Sequence, residues 1–137
     1  MQECYGRSKM ALGSSKGWSK TGGCGCMNTK EGDTSVNPLD GDCNCIYMPY
    51  GDGASFSGYR ADVWPVPGGG NLTFRGIKNF DATVDFAFAN GMDKATDFVL
   101  TGGSAGGLST FLHMDRVAAR LTKEAPGIKK ISGASDA

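Results

Sequence analysis

Gly102-Gly103-Ser104-Ala105-Gly106 sets a serine between glycines two positions before and after it, directly behind the apolar run Phe98-Val99-Leu100. A strand that turns sharply into a helix at such a serine holds it in a strained conformation, and the hydroxyl projects from the end of the sheet as a nucleophile. Gly102 and Gly106 give that turn its room. The five-residue pattern alone has little force in a chain with 22 glycines. Gly13-Ser14-Ser15-Lys16-Gly17 also fits it, yet no strand precedes that copy and no amphipathic helix follows. Ser104 is therefore the candidate nucleophile. The backbone N–H of Ala105 is the candidate oxyanion donor, assisted by the N-terminus of the following helix.

A serine of this kind needs a base to take its proton. The single histidine, His113, lies on the same predicted helix as the turn, about 13 Å further along its axis at ~1.5 Å per residue. Proton transfer needs about 3 Å, so His113 reads as a helix side chain packed in place or paired locally with Asp115 or Arg116. The usual chain order of nucleophile, acid and histidine puts the base beyond Ala137. Asp136 reads as an ordinary loop aspartate, with the role of the acid as the alternative. Two rival readings of the glycine-rich turn fail on chemistry. Gly102 to Ser109 has the spacing of a phosphate-binding loop, but Leu108 stands where a lysine must reach the phosphates. No Gly-x-Gly-x-x-Gly follows a predicted strand, so dinucleotide binding has no support.

The elements that would position Ser104 follow from periodicity. Residues 1–44 read as Cys-rich loop and turn, broken at Gly22-Gly23, Asn37-Pro38 and Asp40-Gly41. Residues 45–50 are expected as a short buried strand, with Pro49 weakening it. A helix is expected over 75–90, with Ile77, Phe80, Val84, Ala87 and Phe88 on one face and Gly91 as its stop. A strand over 98–100, the turn, a helix over 106–121 and a strand over 128–134 complete the order. In the second helix Leu108, Phe111 and Leu112 are expected to face the sheet. Alternating strands and helices favour an α/β fold with parallel pairing. Three strands and two helices make half of such a sheet, so the expectation is one incomplete domain over 1–137, cut on both sides, with its core in 45–137.

Composition narrows the function classes. Fourteen basic and 14 acidic residues cancel to a net charge of zero, which gives nucleic acid no electrostatic footprint. No apolar run approaches the ~20 residues of a membrane span. Cys4, Cys24, Cys26, Cys43 and Cys45 crowd the first third of the chain. Disulfides suit such a loop-rich region; free thiols and a zinc site are the alternatives, the latter hindered by the single residue inside each Cys-x-Cys. An odd count leaves one cysteine without an internal partner. Asn71-Leu72-Thr73 is an acceptor sequon for N-glycosylation and accords with secretion. Trp18, Trp64 and Phe56 could line a carbohydrate or acyl pocket, though isolated aromatics more often serve packing. Arg75 reads as a helix-start or ion-pairing residue.

Four blocks in order resemble one family: Asp52-Gly53-Ala54-Ser55-Phe56-Ser57-Gly58; Phe74-Arg75-Gly76; Thr101 to Leu108 with Phe111 to Arg116; and Ser135-Asp136-Ala137. They resemble the pectin acetylesterase and Notum carboxylesterase family. The resemblance implies a secreted serine esterase of α/β-hydrolase type that removes acyl groups from a polysaccharide or a protein. Ser104 then matches the family nucleophile and Ala105 an oxyanion-hole residue. Asp52, Gly53 and Phe56 become candidates for a substrate-contacting loop, against the simpler reading of a tight turn that satisfies its own backbone. Neither metal nor cofactor is implied. By the same resemblance Cys4 corresponds to the second cysteine of a disulfide-bearing loop, whose Gly-Gly-Gly-Trp-Cys segment would end just before Met1. The family's acid and histidine would follow Ala137. Gly51 departs from the pattern, which has a cysteine between the tyrosine and the aspartate. A non-catalytic, truncated or degenerate relative that binds a glycan or a protein partner is the alternative function.

Overall fold

The computed structural model describes residues 2–20 and 43–136. Its centre is a strand–helix–strand unit. Strand β3 (Asp97–Gly103) runs into helix α3 (Ala105–Glu124), which returns the chain to β4 (Lys130–Asp136). The two strands pair in parallel from Asp97 opposite Lys130 to Gly103 opposite Asp136. Such pairing requires a crossover, and α3 provides it. Ahead of this unit lie α1 (Gln2–Arg7), the short antiparallel strands β1 (Trp64–Pro65) and β2 (Asn71–Leu72), and α2 (Gly76–Ala89). The architecture is α/β, partial and hydrolase-like.

Helix α2 buries the face its spacing predicts. Phe80 is buried, Val84 and Phe88 pack on the core, and Gly91 closes the helix in the left-handed region at φ 99°. The core joins Phe56, Phe80, Val117, Leu121 and Ala125, with Phe98, Leu100, Ile128 and Ile131 packed against it. Two ion pairs across the helices, Asp81 with Arg116 and Asp85 with Arg120, repeat at the same four-residue spacing on both. Asp85 and Glu124 beside the Arg120 guanidinium raise its pKa above the ordinary arginine value. These exposed pairs orient α2 on α3 and add about 0–1 kcal/mol each.

Helix α3 does not turn the expected side to the sheet. Leu108, Phe111 and Leu112 are 48%, 77% and 50% exposed. The buried positions are Gly107, Ser109, Thr110, His113, Val117 and Leu121. The turn sets this phase. Gly106 lies against Gly102 of β3, and positions four, seven, eleven and fifteen residues on from Gly106 are Thr110, His113, Val117 and Leu121, which share its side of a 3.6-residue helix. The approach is close: a Cβ on Gly133 of β4 would stand 3.1 Å from the Met114 side chain and 3.6 Å from that of Thr110. Small residues suit this end of the interface, and the larger apolar ones are left outside.

Two further expectations change. Residues 45–50 form no strand; Pro49 lacks a donor, and Ile46 and Tyr47 are 48% and 65% exposed while Met48 and Tyr50 lean on the core. Residues 2–7, expected as loop, are helical, with Glu3 in the first turn and Arg7 in the last, complementary to the helix dipole. Tyr5 of α1 packs on Gly69 and Gly70, where a Cβ would stand 2.9 Å from the ring and 3.2 Å from its hydroxyl, respectively. Among the described cysteines Cys45 is disulfide-bonded, and Cys4 and Cys43 are exposed free thiols. Cys24 and Cys26 lie outside the described residues, as do the turns expected between 22 and 41.

Candidate active site

β3 delivers the chain to Ser104 and α3 carries it away, so the serine sits at the corner with φ 52° and ψ −120°. L-residues rarely adopt this region, and holding one there costs about 1–3 kcal/mol. The end of β4 restrains the corner from two sides. The Ser104 N–H donates to the Asp136 carbonyl at 2.6 Å, and the Ser135 hydroxyl donates to the Gly107 carbonyl at 2.8 Å. The Ser104 carbonyl accepts from the Leu108 N–H at 3.0 Å, the first hydrogen bond of the helix. Three residues back along β3, the Thr101 hydroxyl donates to the Ala134 carbonyl at 2.9 Å. Nothing in residue type or spacing marks Ser135 for this role, because it depends on the parallel register that sets Gly103 opposite Asp136.

The flanking glycines are not equivalent. A Cβ on Gly102 would stand 2.5 Å from the carbonyl carbon of Gly106 and 2.6 Å from its oxygen, which only a backbone shift could relieve. A Cβ on Gly106 would meet nothing within 4 Å. The clearance required at this turn is therefore at Gly102; Gly106 needs to be close, not bare.

Ser104 is exposed, and its hydroxyl has no hydrogen-bond partner among the described residues. An ordinary serine N-cap spends its oxygen on an N–H of the first helical turn. Here the positive φ turns the side chain away from that work. The N–H groups of Ala105, Gly106 and Gly107 precede the first helical hydrogen bond. They concentrate positive potential at the corner, where an oxyanion on carbon bonded to Ser104 Oγ would form.

His113 is 5% exposed and its ring lies 4.5 Å, centroid to centroid, from Phe80 of α2. Its buried Nε2 has no partner among the described residues. It packs between helices; Arg116, its expected neighbour, pairs instead with Asp81. Asp136 belongs to β4 and not to a loop, and it meets Ser104 through its backbone carbonyl.

The Asp52–Phe56 segment lies elsewhere in the fold. Asp52 Oδ1 accepts from the N–H groups of Ala54 and Phe56 at 3.2 and 3.1 Å, and Phe56 is buried in the core. Gly53 occupies the left-handed region at φ 75° beside Arg7. No hydrogen bond or ion pair among the described residues joins this segment to Ser104. Trp18, Tyr47, Phe56 and Phe86 line an open cleft of about 450 Å³ that Ser104 does not border. Trp64 sits apart in β1 under the Arg60 guanidinium, at 4.3 Å. Arg75 stands at the start of α2 and donates to the Ala61 carbonyl at 2.6 Å. No cluster of three metal-ligating side chains occurs among the described residues, and none of the helices described is long and apolar enough to cross a membrane.

A parallel sheet with a strained serine at the strand-to-helix corner defines an α/β fold of the hydrolase kind. Comparison with known families narrows this further. The pectinacetylesterase family model matches residues 1–137, and the chain belongs to that family. It is 36% identical to pectin acetylesterase 11 of Arabidopsis thaliana over 135 residues, 98% of this chain and 32% of that protein. With pectin acetylesterase 7 of the same plant it shares 37% identity over 132 residues, 96% of this chain and 32% of the relative. Palmitoleoyl-protein carboxylesterase NOTUM of Schmidtea mediterranea is 31% identical over 90 residues, 65% of this chain and 16% of that protein. The chain thus spans about a third of the length of the plant relatives.

Proposed function

We propose that residues 1–137 form part of a single α/β-hydrolase domain of an extracellular carboxylic ester hydrolase that works through an acyl-enzyme on Ser104. The observation that carries the proposal is an exposed serine hydroxyl, free of capping duty, held at positive φ beside unbonded helix N–H groups. In the reaction Ser104 Oγ bonds to the acyl carbonyl carbon and its proton passes to a base. The Ala105 N–H receives the oxyanion, and the alcohol leaves with a proton as the tetrahedral intermediate collapses. Water then takes the acyl group from Ser104 and restores the hydroxyl. The base is a group other than His113, whose imidazole is packed on Phe80. The names of the relatives support an acylated polysaccharide or an acylated protein as substrate. Asp52, Gly53 and Phe56 serve the fold in this reading.

The packed histidine also favours a second reading, a non-catalytic relative that binds a glycan or protein partner. A fluorophosphonate probe separates the two. Covalent labelling that Ser104→Ala abolishes, in this chain or in a longer polypeptide containing it, is expected of the esterase; an inert Ser104 in every form would leave the binder. The chain of 137 residues alone is expected not to turn over p-nitrophenyl acetate, and Ser104-dependent hydrolysis by it would refute the account of the base.

A further inference from the structure

The turn at Ser104 makes no use of Asn71-Leu72-Thr73, and the fold presents that triplet in a definite way. Asn71 and Leu72 form β2, opposite Pro65 and Trp64 of β1. Side chains alternate across a strand. Leu72 is 4% exposed and points into the protein, so Asn71 and Thr73, both exposed, point out together. The backbone is occupied and the side chains are not. Val66 N–H donates to the Gly70 carbonyl at 2.9 Å and Gly69 N–H to the Val66 carbonyl at 3.0 Å, which closes the turn just before the triplet. The carboxamide of Asn71 and the hydroxyl of Thr73 have no hydrogen-bond partner among the described residues.

We infer that Asn71 is an N-glycosylation site, and this rests on the extracellular reading given above. The acceptor triplet is complete, with leucine and not proline in the middle. In the transfer Asn71 Nδ2 gives up one proton and bonds to the anomeric carbon of an oligosaccharide. The bond from that carbon to the pyrophosphate of a lipid-linked donor breaks, and its electron pair leaves with the pyrophosphate. Attachment precedes folding, so the folded chain must tolerate the product. The outward Asn71 meets that demand without disturbing Leu72. A bulky, solubilising glycan there would also cover the solvent face of the two-stranded β1–β2 sheet.

Trypsin cleavage after Arg60 and Arg75 releases residues 61–75 as one peptide carrying the triplet. For the protein isolated from the cells that produce it, peptide-N-glycanase in heavy-oxygen water is expected to convert Asn71 of this peptide to aspartate with uptake of one heavy oxygen. Thr73→Ala is expected to abolish the conversion, and the deglycosylated wild type and Asn71→Gln should melt at the same temperature. A peptide bearing only unmodified Asn71, from protein that has reached the medium, would overturn the site while leaving the esterase reading intact. Unmodified Asn71 on protein retained in the cytosol would overturn the extracellular reading with it. Glycan at Asn71 on a protein whose Ser104 resists fluorophosphonate would uphold the site and leave the esterase reading to fail alone.

Discussion

Among the described residues two stretches hold non-glycine residues at positive φ, and they use the strain in opposite ways. At the corner between β3 and α3 Ser104 has φ 52°; in the 52–56 loop Ser55 and Phe56 have φ 49° and 58°. The loop turns its strain inward. Asp52 satisfies the backbone of Ala54 and Phe56, and the Phe56 ring reaches the core with an edge-on contact to Tyr50 at 5.7 Å. Burying a phenylalanine contributes about 1.5–3 kcal/mol, enough to offset an unfavourable backbone. At the corner nothing comparable is gained by the side chain, since the Ser104 hydroxyl stands exposed and unbonded. Strain by itself does not mark a reactive residue. Strain that secures no contact for its own side chain is the sharper sign.

The contrast can be broken most directly at Phe56. Phe56→Ala should lower unfolding free energy by about 3–5 kcal/mol in urea titrations, while the fraction that stays folded labels at Ser104 as before. A change below ~1 kcal/mol would show that the loop's strain has no packing to offset it. At the corner, Gly102→Ala should cost about 1–3 kcal/mol through its clash with the Gly106 backbone and slow fluorophosphonate labelling. Gly106→Ala should gain up to ~1 kcal/mol from helix propensity and label at the wild-type rate. Equal losses from both glycines would remove the asymmetry between them. The smallest loss of stability is expected at Asp52, where replacement by alanine forfeits two hydrogen bonds to backbone N–H groups for about 1–2 kcal/mol. Labelling at Ser104 should not change; a large loss of labelling would bring the loop into the site.

Much of this was legible in the residues, and the gaps have physical causes. The strand, the turn and both helices follow from short-range pattern: Phe80, Val84 and Phe88 recur at helical spacing, and Phe98 to Leu100 runs straight into the glycines. The inward face of α3 was not legible. Leu108, Phe111 and Leu112 are its most apolar neighbours, but the contact of Gly106 with Gly102 fixes the rotation of the helix, and that contact is tertiary. The strands β1 and β2 have two residues each and their pairing spans a proline and three glycines, too little for any periodicity to register. At the site, Ser104 and Ala105 announce themselves by type and spacing. Ser135 does not, since its hydrogen bond to Gly107 exists only once β4 lies beside β3.

The shared position of Gly106, at once part of the serine corner and the first residue of the buried side of α3, bears on which changes in length this chain can survive. Each residue added to a helix rotates everything after it by about 100°. One residue inserted between Thr110 and Val117 would swing Val117 and Leu121 off the core while leaving Ser104 untouched, or hold the core and twist the corner. Seven inserted residues would rotate the remainder by only about 20°. Length variation within α3 should therefore come in near-heptad steps or not at all, whereas the loop between β1 and β2 is bound by no such rule.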